Sequence, residues 1–177
     1  MKVGILGGSF DPPHLGHVSI SLEAIKRFNL HQLWWVITEQ NPLKQAAYYS
    51  ILDRCKLATC VARSSKIKIL SAGHRRTYDE LQNLKRKYPT YQFVWIMGTD
   101  NLLNIHKWHK WVQINDLVPF IIFDRDGRFY KVMKSRFMLR FSQRYCDIFN
   151  MSFGKQISVI RSRRCDLSST MLRALAR

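Results

Sequence analysis

Apolar residues along the chain gather in short runs that alternate with stretches of helical spacing. Lys2–Leu6 is a brief run rich in Val and Ile that gives way at once to glycines, as a buried strand does on entering a loop. From Leu15 the period changes. Leu15, Val18, Leu22, Ile25 and Phe28 recur every three to four residues, which predicts a helix with those positions on its buried face. The alternation continues through QLWWVITE (32–39), a helical stretch near 51–63, KIKIL (66–70), a helix from Thr77 to Tyr88, QFVWIMGTD (92–100) and PFIIFD (119–124). Residues 125–156 keep helical spacing but are strongly basic, which predicts a solvated basic helix on the rim. The segment ISVIRSRRCDLSSTMLRALAR then reads as a strand, a basic loop and a helix that Ser168 or Ser169 can cap.

Strands that alternate with helices need crossover connections. The expected fold is therefore α/β: a single doubly wound, Rossmann-like, mostly parallel sheet with helices on both faces, forming one domain over residues 1–177. Ligands of such sheets sit outside the carboxyl ends of the strands, where Gly7–His17, Asn41–Lys44 and Gly98–Asp100 converge.

Composition adds little to the fold and more to the choice of partner. With 46% hydrophobic and 23% charged residues, the chain has an ordinary globular composition. Its 29 basic and 12 acidic residues give a net charge of +17, which favours anionic partners without choosing among nucleotides, nucleic acid and acidic membrane. The N-terminal apolar run is too short for a signal peptide and no 18-residue apolar span occurs, so a cytoplasmic protein with no membrane partner is expected. Cys55, Cys60, Cys146 and Cys165 form no C-x-x-C pair or metal-ligand spacing and read as free thiols, with no metal site.

The chemistry concentrates at the two ends. In GGSFDPPHLGH (7–17), Gly7 and Gly8 are expected to take positive φ and bring backbone close to a ligand, while the next helix aims its unpaired N–H groups at an anion. Neither G-x-x-x-x-G-K-[ST] nor G-x-G-x-x-G is present. His14 and His17, three residues apart on one helical face, supply the phosphate donors instead. SSTMLR (168–173) places hydroxyls and a guanidinium at a second helix start, a weaker pattern that gains from pairing with the first.

GGSFDPPHLGH and SSTMLR together resemble the H-x-G-H nucleotidyltransferase superfamily, with PPHLGH in the form typical of bacterial nicotinate-nucleotide adenylyltransferases. NPLK (41–44), GTDNL (98–102) and WHKW (108–111) fall in that family's order, so the likeness covers most of the chain. The resemblance implies transfer of AMP from ATP to nicotinate mononucleotide, a step in making NAD. The ATP enters with Mg²⁺, and no carboxylate cage is dedicated to the metal. It implies that Gly7, Gly8, Ser9 and Phe10 line the ATP site and that His14 and His17 donate to its phosphates. Ser168, Ser169, Thr170 and Arg173 would hold the outer phosphates, with His14, His17 and Arg173 as the catalytic set. Lys44, Thr77, Asp100 and Trp108 would serve the acceptor, Trp108 by stacking on the nicotinate ring and Lys44 by adding charge near the reacting phosphates.

Two departures stand out. Arg76 precedes Thr77 where the family usually has Tyr-Thr, and the chain stops at Arg177 where many relatives continue. Two alternatives stay open: another H-x-G-H adenylyl- or cytidylyltransferase, taking nicotinamide mononucleotide or phosphopantetheine, and a basic nucleic-acid-binding protein. The double proline and the tryptophan-rich 108–111 segment argue against a phosphopantetheine or cytidylyl enzyme. For the nucleic-acid alternative, KSRFMLRFSQRY and RSRR predict salt-sensitive affinity without a specific nucleic-acid partner.

Overall fold

Each predicted strand forms, and every pairing between strands is parallel. The computed structural model describes residues 1–39, 46–125, 127–146, 154–162 and 169–175, the side chains of Thr170 and Leu175 excepted. Along the chain run β1 (Lys2–Gly8), α1 (Leu15–Arg27), β2 (Gln32–Ile37), α2 (Ile51–Ala62), β3 (Ile67–Ser71), α3 (Thr77–Lys87) and β4 (Gln92–Gly98). Then come α4 (Thr99–Asn104), α5 (Trp111–Leu117), β5 (Phe120–Asp124), α6 (Phe129–Met133), α7 (Arg136–Arg140), β6 (Ile157–Arg161) and α8 (Ser169–Leu175). The strand order is β3-β2-β1-β4-β5-β6, all parallel rather than mostly so. The order reverses between β1 and β4, and a doubly wound sheet opens its ligand crevice there.

Two cores sandwich the sheet because successive strand residues face opposite sides. Val3, Trp34, Val36, Phe93, Trp95, Phe120 and Ile122 join the core beneath α3–α7. Leu33, Trp35, Ile37, Val94, Ile96, Ile121 and Phe123 join the one beneath α1 and α2. The apolar runs read as continuous because both faces are covered.

Three expectations need correction. The buried face of α1 is Gly16, Ile20, Ser21, Ala24 and Ile25, whereas Leu15 and Leu22 are 64% and 47% exposed. Small residues face the sheet because the helix closes over the bulky Trp35, whose Nε1 donates to Ser21 Oγ at 2.8 Å. The strand expected over 92–100 ends at Gly98, and Thr99 begins α4. The basic stretch after 125 is not one solvated helix: α6 and α7 are short, and Val132, Phe137, Met138 and Phe141 are core residues. Its charges lie between apolar anchors, so the basic composition masked the packing.

Cys55 and Cys60 are free thiols, and Cys165 lies outside the described residues. Among the described residues, no helix is long and apolar enough to cross a membrane.

Candidate active site

A crevice of about 1010 Å³ opens at the carboxyl ends of β1 and β4, large enough for two nucleotides. Gly7, Gly8, Ser9, Phe10, His14 and His17 form one wall. Thr77, Asp100 and Trp108 line it from the other side, and Ser169 and Arg173 reach it from α8. Lys44 and Ser168 lie outside the described residues, as does the side chain of Thr170.

Gly7 and Gly8 belong to β1 and do not take positive φ. The left-handed residue of this loop is Phe10, with φ 48. What requires glycine at position 7 is close approach, since a Cβ there would overlap the indole of Trp95. Phe10 is buried beneath the loop, stacked on Trp35 with centroids 5.0 Å apart and 4.6 Å from the His17 ring.

The two histidines cap their own helix. His14 Nδ1 accepts the Gly16 amide at 3.1 Å, and His17 Nδ1 accepts the His14 amide at 3.2 Å, a reciprocal capping box made of imidazoles. With each Nδ1 occupied as an acceptor, the neutral tautomer carries its hydrogen on Nε2 as a donor. The intervening glycine is needed because a Cβ on Gly16 would lie 2.8 Å from His14 Nδ1. His14 is 7% exposed. Burial first, and then the nearby Arg125 guanidinium, lower its pKa to about 4, so the ring is neutral at pH 7.

Sequence reasoning missed the residues that hold this loop in place. Asp11 is buried and accepts the amides of Tyr48 and Tyr49 at 2.9 and 3.0 Å. Arg54, 1% exposed, donates to the carbonyls of Ser9, Thr38 and Glu39 at 2.7 Å each and to that of Tyr49 at 3.1 Å. One guanidinium thus joins the loop after β1, the end of β2 and the start of α2. Nothing in the amphipathic pattern of α2 marked Arg54 as internal. Arg125, just past β5, stands beside His14 and Gly98 on the crevice wall.

At the other end of the chain, α8 docks on this same loop. Ser169 Oγ donates to the Pro12 carbonyl at 2.8 Å, and Arg173 Nη1 donates to the Asp11 carbonyl and lies 3.6 Å from Asp11 Oδ2. The hydroxyl expected to cap α8 is therefore engaged with the loop, and the guanidinium is held at the crevice by a buried carboxylate. Asp100 sits in the first turn of α4, close enough to Gly98 that a Cβ there would meet its carboxylate. Among the described residues, no group of three or more His, Cys, Asp or Glu is placed to hold a metal.

Imidazoles with donors on Nε2, two guanidiniums and a crevice at the switch point make a site suited to phosphate-bearing ligands. A sequence model of the cytidylyltransferase-like family matches residues 5–175, and the chain belongs to that family. Within it, the chain is 38% identical over 183 residues to a probable nicotinate-nucleotide adenylyltransferase of Brucella suis biovar 1 (strain 1330), with 98% of this chain and 94% of the relative covered. It is 42% identical over 147 residues to a protein of the same description from Ruegeria sp. (strain TM1040), covering 81% of this chain and 78% of the relative. Plasmodium falciparum nicotinic acid mononucleotide adenylyltransferase, solved in complex with NaAD, shares the fold. Its TM-score is 0.75 at 21% identity, over 98% of this chain and 82% of that one.

Proposed function

We propose that the chain, acting as one nucleotidyltransferase domain, transfers AMP from ATP to nicotinate mononucleotide, giving nicotinate adenine dinucleotide and pyrophosphate. The observation that carries the chemistry is the locked imidazole pair: both Nδ1 atoms accept backbone amides, which makes each Nε2 a donor suited to a phosphate oxygen. The names of the full-length relatives support the choice of acceptor.

An oxygen of the acceptor phosphate attacks the α-phosphorus, and the bond to the bridging oxygen breaks as pyrophosphate leaves. The attacking phosphate is ionised at neutral pH, so the protein supplies no base. Its contribution is position and charge. Gly7–Phe10 seat the nucleotide, while His14, His17, Arg125 and Arg173 stabilise the charge that develops on the transferring and leaving phosphates. Ser168 and Thr170 assist at the outer phosphates, and Ser169 ties α8 to the loop through the Pro12 carbonyl. Lys44, Thr77, Asp100 and Trp108 serve the acceptor. Mg²⁺ arrives as part of the ATP substrate. The free thiols suit a reducing compartment, and we place the activity in the cytoplasm.

Pyrophosphate release with ATP and nicotinate mononucleotide tests the reading. Nicotinamide mononucleotide and phosphopantetheine serve as the competing acceptors. His17→Ala and His14→Asn, the second keeping a side chain that can cap α1, should each lower kcat by roughly 10²- to 10³-fold with the fold intact. Activity with phosphopantetheine alone would rule the proposal out.

A further inference from the structure

Helices α6 and α7 turn their apolar residues into the core, and what they leave outside is cationic. Six of residues 127–146 are Lys or Arg and none is acidic. Val132, Phe137, Met138 and Phe141 are buried, whereas Lys131, Lys134, Arg136 and Arg140 are exposed. None of these residues lines the crevice.

A second cavity, of about 540 Å³, gathers part of this charge. Lys131, Lys134 and Arg136 line it together with Tyr130, while Leu103 from α4 and His106 from the 3₁₀ turn at Ile105–Lys107 supply the remaining wall. Among the described residues the lining contains no acid, and the side chains of Lys131, Lys134 and Arg136 make neither an ion pair nor a hydrogen bond. The described acids nearest in the chain are engaged elsewhere. Asp124 is buried and accepts the Arg128 amide at 2.8 Å, and Asp116 pairs with Arg144 at 2.9 Å and Lys155 at 3.2 Å. Like charges thus crowd a concave surface with no protein counter-charge, and a bound anion relieves their repulsion.

Tyr130 adds a second kind of contact. It is 75% exposed, which leaves its ring available to a planar group. Leu103 and His106 belong to the segment whose Asp100, Lys107 and Trp108 line the crevice, so one short segment lines both cavities.

We propose that this second cavity is a nucleotide site separate from the crevice, binding a nucleoside monophosphate with its base against Tyr130 and its phosphate among Lys131, Lys134 and Arg136. The combination of an exposed aromatic ring and unpaired cations matches the two halves of such a ligand. A single nucleotide fits better than a nucleic-acid strand, because the volume is that of a small-molecule pocket and its cations converge on one hollow instead of tracking a groove.

Equilibrium dialysis of the whole chain with radiolabelled AMP at physiological ionic strength tests the assignment. Lys134→Glu and Arg136→Glu should each weaken one class of bound AMP about 10-fold or more, and Tyr130→Ala should weaken the same class by roughly 5- to 100-fold. Lys56→Glu makes the same charge change on the exposed face of α2 and should leave that class unaltered. Urea midpoints close to wild type for all four variants show that the fold is kept. The assignment is overturned if AMP binds only at a site lost with His17→Ala, which would be the crevice, or if Lys134→Glu and Tyr130→Ala leave all binding intact. Equal weakening by Lys56→Glu would reduce the effect to the overall charge, and displacement by inorganic phosphate as readily as by AMP would leave only an anion sink. A single-stranded oligonucleotide that displaces AMP at far lower concentration, with a steep salt dependence, would replace the nucleotide site by a nucleic-acid surface.

Discussion

The two walls of the crevice are built by opposite means. On the side of the loop after β1, the polar groups are mostly buried and already bonded to protein: Asp11 to two amides, Arg54 to four carbonyls, His14 to the Gly16 amide and His17 to the His14 amide. On the side of α3, Arg75 and Arg76 line the crevice and are exposed. Charge that develops during phosphate transfer is best met by dipoles that do not have to reorient, and the bonded wall suits the reacting end proposed for it. Recognition of an acceptor in its ground state makes no such demand. Side chains that order on binding are enough there.

If rigidity of the first wall comes from Arg54, deleting that residue should do the most damage. Arg54→Ala leaves four carbonyls without their donor and a cavity between three loops, which should cost about 3–5 kcal/mol of stability. Arg54→Lys should recover only a part, since one ammonium cannot span three loops. Urea denaturation measures both. A loss below about 1 kcal/mol for Arg54→Ala would show that the loops hold themselves.

A pH titration examines the same wall through His14. Its folded pKa, about 4, lies below the unfolded value of 6.5, because burial and Arg125 disfavour the charged ring. Between these values the unfolded chain binds a proton that the folded chain refuses. The stabilisation from the neutral ring is therefore complete above pH 6.5 and is lost as pH falls towards 4, amounting to a change on the order of 3 kcal/mol. The difference in unfolding free energy between wild type and His14→Asn, followed from pH 7.5 to 4, isolates this group from the titrating carboxylates. A difference that does not vary with pH would mean that His14 titrates normally in the fold.

Gly16→Ala sharpens the link between capping and catalysis. The added Cβ would lie 2.8 Å from His14 Nδ1 and 3.1 Å from Arg125 Nη1, so the ring must move and the cap is lost, at about 1–2 kcal/mol. Better helix propensity returns up to about 1 kcal/mol, leaving a net loss of roughly 1 kcal/mol. The kcat should fall by more than that stability change suggests, because both Nε2 donors are displaced. Parallel melting curves and pyrophosphate-release rates would separate the two effects.

The sequence disclosed these walls unequally. Strands alternating with helices were plain because β1, β2, β4 and β5 are buried on both faces and appear as unbroken apolar runs. H-x-G-H stood out because its spacing follows from helix geometry. By contrast, α4 and α5 are short and separated by a 3₁₀ turn at Ile105–Lys107 and a left-handed Lys110, so no period lasts long enough to register. Arg54 and Asp11 were illegible for another reason. Their partners are backbone groups of segments far away in the chain, and neither residue type at those positions signals burial. The capping role of His14 and His17 was hidden likewise, since it depends on which ring nitrogen faces the backbone.

The smallest predicted effect completes the contrast. Arg75 and Arg76 are exposed and bury little surface, and surface substitutions away from packed features usually change stability by less than about 0.5 kcal/mol. They also sit beside His74 in a chain of net charge +17, where each added cation is repelled by the others. Arg76→Gln should therefore leave the urea midpoint nearly unchanged, with a slight gain at low ionic strength that fades as salt screens the repulsion. A clear loss of stability at every salt concentration would mean that the guanidinium is part of the folded framework, and the two walls would no longer differ in kind.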